Sequence, residues 1–470
     1  MRLIFCLILV GALIACALPG SKSITEPVSA AQKPKYNVIM IATDDLRPSL
    51  GCYGEKIVKT PNIDKLAARG IRFDRAYTQY PLCNPSRSSL LTGRYPTQTG
   101  VMDNELYFRA LHPEFISLPQ HFKANGYVTL RSGKIFHGGI DDTDAWTEGG
   151  EARNFTGAQR PPSNADSAER IAHSDRIVVL DGEGENSEDY RAATRAVEFL
   201  EKYKDKPFFL ALGSAKPHSP PAAPQRFFDL YDAEKIPLPP DFSERPIAPP
   251  GFPEISIARR NTDLFIGREA TPAQAREMIR AYYASVSFID AQVGRVLDAV
   301  ERLNLRRNTI IVFWGDHGYH LGEKGKWSKA YSLFEIATRV PFIIATPETK
   351  GGASPRTVQL LDMYATLNEL CGLKDPYQPS AKLEGHSLAP LLKNPRATWN
   401  YPGLSVVLYQ RKLGKSVSTE RWHYVSWDDG KAGELLTDHR SDPNELKNLA
   451  GDPAYATTVA ELRELLKLIP

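Results

Sequence analysis

Several features that would place a protein in a specialised class are missing from this sequence. The 470 residues contain no internal repeat and no long run of one charge, and 58 basic residues nearly balance 55 acidic ones, for a formal net charge of +3. Because dedicated nucleic-acid-binding proteins usually carry a strong basic excess, we expect no nucleic-acid partner. With 42% hydrophobic and 24% charged residues, the composition is that of an ordinary globular protein, not of a disordered or fibrous one.

Long hydrophobic runs are also absent, except at the N-terminus. There, Met1 and Arg2 precede an apolar stretch over residues 3–18 that is too short for a comfortable membrane span. The sequence Leu-Ile-Ala-Cys ending at Cys16 resembles a bacterial lipobox, in which the cysteine receives a lipid, and an ordinary signal peptide cut near Ala30 is the alternative. We predict that residues 1–31 form an export signal and tether, and that the product lies in the periplasm or at the cell surface, with or without a lipid anchor.

Cysteine is scarce, with five in the chain, and Cys6 and Cys16 belong to the export signal. The remaining Cys52, Cys83 and Cys371 are an odd number for an oxidising compartment. If Cys83 is chemically consumed, an even pair remains, although no pattern shows that the two bond. Cys371 has apolar neighbours and is expected to pack as a small core residue.

Four apolar runs each end in polar side chains that can carry chemistry. The runs span residues 37–45, 127–137, 207–218 and 309–318, and the side chains at their ends are Asp44, Asp45, Lys134, His137, Lys216, His218, Asp316 and His317. Helical stretches separate the runs, and this pattern predicts buried parallel strands covered by helices on both faces. In such an α/β sheet, ligands bind beyond the carboxyl ends of the strands, so we expect these side chains to converge there.

The length and a change of pattern predict two parts. A chain of 470 residues exceeds one ordinary core, so we expect a large domain and a smaller one. Residues 341–346 add one more strand to the first pattern, whereas the chain beyond about residue 395 has short alternating segments typical of a small antiparallel sheet, then helical periodicity over 454–469. We predict a catalytic domain at 32–395 and a C-terminal subdomain at 396–470.

The stretch over residues 81–94, PLCNPSRSSLLTGR, places a lone cysteine directly before a predicted helix. Pro85 suits the first helical position, where its missing N–H costs nothing, and Gly93 suits the helix end. The N-terminus of a helix favours an anion, and Arg87 adds a fixed positive charge. The thiol of Cys83 therefore faces a predicted anion site, although an ordinary packed cysteine beside a helix is the alternative.

The neighbouring carboxylates of Asp44 and Asp45 would repel each other unless a cation lies between them. Asp316 brings a third carboxylate to the same predicted edge, with His317 beside it. Three carboxylates without a thiolate cluster favour a hard ion such as Ca²⁺ or Mg²⁺ over zinc, with His317 as a weak ligand or an indirect contact. For the first pair alone, a solvated turn or helix cap is an equally good interpretation.

Two histidines and two lysines are further candidates for the site, as proton carriers and as cations. Taken singly, His137 and His218 are weak signals, because a lone loop histidine is usually a surface or packing residue. Lys134 and Lys329 are weaker still, because most lysines are solvated. Together the four provide two proton carriers and two cations around a helix N-terminus and a metal. That combination indicates hydrolysis of an anionic ester, either a sulfate or a phosphate.

The motifs as a whole resemble those of a known family. CNPSR at residues 83–87, followed by LLTGR, is similar to the Cys-x-Pro-Ser-Arg signature of type I sulfatases, in which the cysteine is oxidised to formylglycine. Resemblance to the iduronate-2-sulfatase-like branch lies in NVIMIATDDLRPSLGCYG, KPHSPP, DHGYHLGEKGKWSKAYSLFEIATRVPFII and GELLTDHRSDPNELKNLA. It runs from about residue 36 to the C-terminus. It implies an alkaline-phosphatase-like α/β sandwich with a large mixed, mostly parallel sheet flanked by helices, plus a smaller C-terminal antiparallel-sheet subdomain.

The resemblance also implies roles for individual residues. Calcium would be held by Asp44, Asp45, Cys83 as formylglycine, Asp316 and His317. The sulfate would be surrounded by Lys134, His137, His218 and Lys329, while Arg87 steadies the formylglycine and the ion. In such enzymes the hydrated aldehyde attacks sulfur. We assign Asp316 to remove its proton, His218 to protonate the leaving sugar oxygen, and His137 to deprotonate the second hydroxyl, which expels sulfate.

The expected function is that of a calcium-dependent formylglycine sulfatase, matured by a formylglycine-generating enzyme and acting on the ends of sulfated oligosaccharides in polysaccharide degradation. One alternative is a phosphodiesterase or phosphonate monoester hydrolase of the same superfamily, and another is a non-catalytic binder of sulfated glycans. Sugar specificity is open, because Tyr319 stands where the lysosomal iduronate enzyme has tryptophan. Further candidates for substrate contact are His320, Trp327 and the proline-rich loop 217–253, which is expected to line a pocket.

Overall fold

The computed structural model describes residues 36–153, 155–160, 168–377 and 382–470. The predicted export signal at residues 1–31, with Cys6 and Cys16, lies outside the described residues. Within those ranges, no helix combines the length and the apolar character that a membrane crossing requires.

The secondary structure alternates strands and helices up to about residue 371 and then changes to consecutive strands. The strands are β1 Asn37–Asp44, β2 Ile71–Tyr77, β3 Val128–Gly133, β4 Val178–Leu180, β5 Phe208–Pro217, β6 Ala222–Pro224, β7 Thr309–Gly315, β8 Arg339–Val340, β9 Phe342–Ala345, β10 Gly352–Gln359, β11 Gly403–Tyr409, β12 Lys412–Ser418, β13 Trp422–Trp427 and β14 Gly433–Asp438. The α-helices are α1 Pro61–Ala67, α2 Cys83–Thr92, α3 Pro96–Thr99, α4 Phe108–Leu111, α5 Leu118–Ala124, α6 Ala168–Ala172, α7 Glu188–Tyr203, α8 Gln225–Phe228, α9 Pro272–Arg302, α10 Glu335–Thr338, α11 Asp362–Cys371, α12 Ala389–Lys393 and α13 Ala456–Leu465.

The large sheet has eight strands in the order β10-β2-β9-β7-β1-β5-β3, with β8 paired to β2. Neighbours β7, β1, β5 and β3 run parallel to one another, as do β10 and β2, whereas β9 is antiparallel to both β7 and β2. The four apolar runs of the sequence are therefore adjacent parallel strands, and their carboxyl ends meet at one edge. The strand predicted over 341–346 is also present, as the antiparallel β9.

Both faces of the large sheet are covered. All eight residues of the central strand β1 are buried, and its alternate side chains enter two different cores. Ile39 and Ile41 pack in one core with side chains of α7 and α9, whereas Val38 and Met40 pack in the other with side chains of α2, α5 and α11. Strands buried on both faces are apolar throughout, and this is why the sequence shows continuous apolar runs there.

The C-terminal region forms a separate antiparallel sheet in the order β11-β12-β13-β14, with α13 packed on it. A third core lies between this region and side chains from earlier in the chain, among them Tyr80 and Phe334. The backbone N–H of Val406 donates to the carbonyl oxygen of Gln79 at 2.9 Å, which links this sheet to the end of β2. A mixed, mostly parallel sheet flanked by helices and a smaller antiparallel sheet were both predicted, and both are confirmed. The boundary at 395/396 stays a prediction.

Cys371 packs as expected, and the proline-rich loop lines a cavity as expected, although none of the predicted metal or sulfate ligands lines that cavity. Cys371 is buried in the second core of the large sheet. In the loop 217–253, residues Pro237, Leu238, Pro239 and Pro240 line a cavity of about 600 Å³ together with Tyr283 of α9. Cys52, Cys83 and Cys371 are all free thiols.

Candidate active site

Helix α2 begins two residues earlier than the sequence suggested. It starts at Cys83, and Leu82 before it has extended backbone angles, so Pro85 is the third helical residue and not the first. Proline is tolerated there because the N–H groups of the first turn have no intrahelical partner. The helix ends at Thr92, and Gly93 follows with a φ of 68°, the left-handed conformation expected of a helix-terminating glycine.

Arg87 lies one turn after Cys83, on the same side of α2, and is fully buried. Its Nε donates a hydrogen bond to Asp316 Oδ2 at 2.7 Å, and its Nη1 donates to the carbonyl oxygens of Lys134 at 2.7 Å and Ile135 at 2.9 Å. Burial alone would lower the pKa of the guanidinium, but the Asp316 carboxylate raises it, so Arg87 stays charged. One side chain thus ties α2 to the ends of β7 and β3.

Four residues, Asp44, Asp45, Cys83 and His317, form a buried group that we call the acidic cluster. Asp44 ends β1, Asp45 follows it with a φ of 62°, and His317 lies just beyond β7. The Cys83 thiol donates to Asp44 Oδ1 at 3.3 Å, and His317 Nε2 lies 3.3 Å from Cys83 Sγ. One potential ligand atom of each residue lies within 4.8 Å of the other three. The predicted convergence at this sheet edge therefore occurs.

The donors of the acidic cluster fit a hard cation. His317 Nδ1 lies 3.1 Å from the carbonyl oxygen of Gly318, so a proton on Nδ1 is donated there and Nε2 faces Cys83 as an acceptor. Metal-binding histidines are typically held in this way. Asp45 Oδ1 is buried and accepts no hydrogen bond from the described part of the chain, although Lys329 Nζ lies 3.1 Å away. Burial raises the pKa of Asp45 well above its ordinary value, and an oxygen-seeking ion such as Ca²⁺ would restore its charged form.

Asp316, the third predicted carboxylate, lies beside the acidic cluster. Its Oδ2 accepts from Arg87, and its Oδ1 accepts from the backbone N–H groups of Asp45 at 3.2 Å and His317 at 3.0 Å. Oδ1 also lies 3.6 Å from His317 Nε2. Three donors therefore fix this carboxylate with Oδ1 turned toward the cluster.

Two lysines bring positive charge to the acidic cluster. Lys134 pairs with Asp44, and Lys329 Nζ lies 3.1 Å from the Asp45 carboxylate. Burial alone would lower the pKa of both ammonium groups, but the paired carboxylates raise it above its ordinary value. Both side chains are therefore cations that can meet an anionic ligand.

The two predicted histidines are neutral in the absence of a ligand. Burial and Lys134 lower the pKa of His137 well below its ordinary value, and Arg160 Nη2 lies 3.4 Å from its Nε2. Burial and Lys329 lower the pKa of His218 to about 3. His218 Nδ1 lies 2.8 Å from the carbonyl oxygen of Ser219, which leaves its Nε2 on the side of the cluster. A neutral imidazole accepts protons readily, whereas donation by His218 requires added negative charge nearby.

The acidic cluster is open on one side. Its four residues, together with Arg87 and Asp316, have no exposed surface. By contrast, 15% of the Lys134 side chain and 26% of the His218 side chain are exposed. A ligand therefore reaches the cluster from the side that Lys134 and His218 occupy.

The Cys83 thiol is not activated as a nucleophile. Burial and the Asp44 carboxylate raise its pKa well above the ordinary value. Reactive cysteines show the opposite, a pKa lowered by nearby positive charge. Unmodified Cys83 is therefore a poor nucleophile at neutral pH.

Three residues near the site were missed from the sequence: Ser86, Arg160 and Asp263. Ser86 Oγ donates to the carbonyl oxygen of Asp316 at 2.6 Å, and Asp263 Oδ2 lies 3.2 Å from Lys329 Nζ. Ser86 belongs to the CNPSR stretch, so its position was a usable signal. Arg160 and Asp263 lie in irregular segments without periodicity, and only the folded chain brings them to the site.

Two of the suggested substrate contacts are wrong. His320 and Trp327 are fully buried, with His320 Nε2 2.8 Å from Ser332 Oγ and the Trp327 ring packed on Phe265. They support the segment that carries Lys329 and offer no surface to a ligand. Tyr319 is also buried, with Lys329 Nζ over its ring at 5.8 Å.

Comparisons with known proteins agree on one family. The family model described as Sulfatase matches residues 36–373, and the model of the C-terminal region of N-sulphoglucosamine sulphohydrolase matches residues 322–469. The chain belongs to the sulfatase family. Human iduronate 2-sulfatase is 37% identical over 402 residues, which cover 80% of this chain and 71% of that protein. A sulfatase from Formosa agariphila is 34% identical over 477 residues, covering 97% and 90%. The enzyme class predicted from the sequence, a sulfuric ester hydrolase, is confirmed.

Solved structures agree on the fold of this sulfatase. A protein solved in complex with its substrate, D-glucosamine-2-N,6-O-disulfate, superposes with a TM-score of 0.70 over 92% of this chain and 97% of that one, at 22% identity. The phosphonate monoester hydrolase of Agrobacterium radiobacter superposes with a TM-score of 0.71 over 92% and 95%, also at 22% identity. At this identity the likeness shows the fold alone, and the predicted alkaline-phosphatase-like architecture is confirmed.

Proposed function

We propose that this sulfatase removes sulfate from a sulfated sugar, through a formylglycine made from Cys83 and with a bound Ca²⁺. The observation that carries the proposal is the position of Cys83. Its unactivated thiol lies at the first turn of α2, in contact with Asp44 and His317, and is flanked by the charged groups of Arg87 and Lys134. A thiol that is a poor nucleophile, yet lies among buried carboxylates, an arginine and a lysine, is well explained as the precursor of another group.

Calcium would be held by Asp44, Asp45, His317, the oxygen that replaces the Cys83 thiol, and Asp316 through Oδ1. The ion would supply positive charge where the sulfate oxygens gather electron density. The nearby Lys134 and Lys329 would supply further positive charge, so that the site binds an anionic group tightly. Arg87 would keep residue 83 and Asp316 in fixed positions.

Formylglycine supplies a hydroxyl nucleophile when its aldehyde is hydrated. The residues around it are arranged to move protons. Asp316 would accept the proton of the attacking hydroxyl, and neutral His137 is suited to accept a proton from the second one. His218 would donate a proton to the leaving sugar oxygen, and the negative charge of a bound sulfate is what would raise its pKa enough to do so.

The substrate class is proposed from the relatives. The named activity of the human relative is that of an iduronate 2-sulfatase. We therefore propose a sulfated uronic acid or a related sugar, taken from the ends of oligosaccharides during polysaccharide degradation. A formylglycine-generating enzyme would mature the protein. Export to the periplasm or cell surface, with or without lipid attachment through Cys16, would place it with such substrates.

The test compares 4-nitrophenyl sulfate with an aryl phosphate diester and an aryl phosphonate ester, using protein from a host that matures Cys83. We expect the sulfate to be turned over fastest, and the Cys83→Ala variant to lose this activity. A dominant diesterase or phosphonate rate would contradict the proposal, as would retention of activity in Cys83→Ala. Sulfate release from defined sulfated disaccharides and from intact polymer would then decide the sugar and the mode of action.

A further inference from the structure

Lys329 lies between two carboxylates, and only one of them belongs to the acidic cluster. Its Nζ is 3.1 Å from both oxygens of Asp45 and 3.2 Å from Asp263 Oδ2. The Lys329 side chain is 3% exposed and that of Asp263 is 8% exposed, so water screens this three-charge arrangement little.

A cation at the acidic cluster would weaken the attraction between Asp45 and Lys329. The Asp45 carboxylate would then be shared between the ion and Lys329, and the ion would repel the ammonium group. With Asp45 as its sole partner, Lys329 would be pushed away from the place where a sulfate has to be bound. Asp263 is the second anion that can keep the ammonium in position.

The loop that carries Asp263 is paired with the segment that carries Lys329. Asn261 Oδ1 accepts from the backbone N–H of Trp327 at 2.8 Å, and Asn261 Nδ2 donates to the carbonyl oxygen of Gly325 at 3.3 Å. The backbone N–H of Leu264 donates to the carbonyl oxygen of Trp327 at 3.2 Å. These contacts bracket Asp263 on both sides and hold the two segments in register.

We propose that Asp263 is a positioning residue, which holds the Lys329 ammonium at the sulfate-binding side of the cluster once Asp45 is engaged by a metal ion. The inference rests on the proposed function, because it takes the cluster as a metal and sulfate site. Asp263 has no hydrogen bond or ion pair with Cys83 or any other residue of the acidic cluster in the described contacts. Its charged partners are Lys329 and, through Oδ1 at 3.8 Å, Arg170. The Arg170 side chain is 38% exposed, so Lys329 is the buried partner through which Asp263 acts on the site.

Asp241 offers a matched control. Its Oδ2 lies 2.6 Å from Lys324 Nζ, with side chains 12% and 3% exposed, so it is a similarly buried partner of a lysine in the same segment. Although Asp241 belongs to the loop 217–253, it is not among the residues of that loop that line the cavity. Lys324 does not contact Asp45 in the described structure. Loss of the Asp241 carboxylate therefore shows how much activity and sulfate affinity change when the segment carrying Lys324 and Lys329 loses a buried ion pair that does not involve Lys329.

The experiment compares wild type, Asp263→Asn, Asp263→Glu and Asp241→Asn as calcium-loaded full-length proteins. Kinetics with 4-nitrophenyl sulfate give kcat and KM, calorimetry with inorganic sulfate gives anion affinity, and thermal unfolding gives stability.

We expect Asp263→Asn to lower kcat/KM by about 100-fold, a loss of the size seen when one preorganised charge contact is removed. Its sulfate affinity should fall in parallel, and Asp263→Glu should recover part of both. Asp241→Asn should keep sulfate affinity and kcat/KM within about threefold of wild type, because a substitution far from the site usually has only a small effect.

Two results would overturn the inference. One is an Asp263→Asn protein with wild-type sulfate affinity and kcat/KM. The other is equal losses in Asp263→Asn and Asp241→Asn at equal loss of stability, which would make Asp263 merely structural. Failure of the proposed function gives a different pattern: wild type binds sulfate with an affinity that depends on Asp263, yet hydrolyses no sulfate ester.

Discussion

At the scale of single residues, the centre of the site is built from four charged side chains that have no contact with water. Arg87, Asp44, Asp45 and Asp316 are all fully buried, and such groups are stable only when each is paired or bonded to an ion. Arg87 meets this condition because its guanidinium is surrounded by two carboxylate oxygens, of Asp316 and Asp44, and by two backbone carbonyl oxygens. Each partner is therefore needed for the position of the others.

Arg87→Lys tests this geometry while keeping the charge. A lysine cannot reproduce the planar set of donors that reaches Asp316 and two backbone carbonyls. We expect kcat/KM for 4-nitrophenyl sulfate to fall by about 100-fold. Arg94→Lys is the control, because the Arg94 guanidinium packs over the Tyr377 ring, 4.2 Å from its centroid, and has no partner in the acidic cluster. Equal activity of Arg87→Lys and Arg94→Lys would refute the role given to Arg87.

At the scale of elements, α2 is held at both ends. Its start places Cys83 in the acidic cluster, and its end turns at Gly93, where the chain packs against Leu383 and Tyr364. A Cβ added to Gly93 would lie 2.4 Å from Leu383 Cδ2 and 3.2 Å from Tyr364 Cδ1. The glycine is therefore required both for its φ of 68° and for its lack of a side chain.

Gly93→Ala and Gly372→Ala separate these two requirements. Gly372 follows α11 with the same φ of 68°, but a Cβ there would meet no atom of the described residues within 4 Å. We expect Gly372→Ala to lower the free energy of unfolding by about 1 kcal/mol, the cost of the left-handed conformation. Gly93→Ala should cost about 2 kcal/mol more, because Leu383 and Tyr364 must also shift. Urea unfolding of both variants measures the difference, and equal costs would show that Leu383 yields freely.

The C-terminal sheet also carries a buried charge pair, between His423 of β13 and Glu445. Burial alone would lower the pKa of His423, but Glu445 raises it above 6.5. Burial alone would raise the pKa of Glu445, but His423 lowers it to about 2. Glu445 also accepts from the backbone N–H of Glu335 at 2.7 Å, so the pair joins this sheet to the start of α10.

Glu445→Gln should destabilise the protein in a pH-dependent way. The Glu445 contribution is fully present above its ordinary pKa of 4.5 and is lost as pH falls toward 2. The His423 contribution is fully present below 6.5 and is lost as pH rises through its raised pKa. We therefore expect the largest loss, about 3 kcal/mol, between these two values, and a smaller one at alkaline pH. A loss of unfolding free energy that is the same from pH 5 to pH 9 would contradict the ion pair.

At the scale of the whole molecule, the sequence predicted the features that have a periodic or punctuated pattern. The buried strands β1, β3, β5 and β7 could be predicted because each is a continuous apolar run. The rule that ligands bind at strand ends then predicted that Asp44 and Asp316 lie close together. Asp263 could not be found in this way, because its loop has no periodicity and its partner is 66 residues away in sequence. His320 and Trp327 share a motif with Lys329, but a motif does not state which of its side chains turn inward.

Removal of calcium should act on the whole molecule as well as on activity. The acidic cluster and the adjacent Asp316 bring three buried carboxylates together, so their mutual repulsion returns when the ion is chelated. We expect EGTA to abolish hydrolysis of 4-nitrophenyl sulfate and to lower the melting temperature, and added Ca²⁺ to restore both. Unchanged activity and melting temperature after exhaustive chelation would exclude a structural and catalytic ion at this cluster.

The most direct measurement of the central claim is a mass spectrum of the tryptic peptide over residues 76–87, from protein made in a host that matures sulfatases. We predict that residue 83 has the mass of the aldehyde or its hydrate. The account would be contradicted by an unmodified thiol in protein that hydrolyses sulfate esters at full rate. A control sulfatase made in the same host must show the modification, so that the host is known to mature sulfatases.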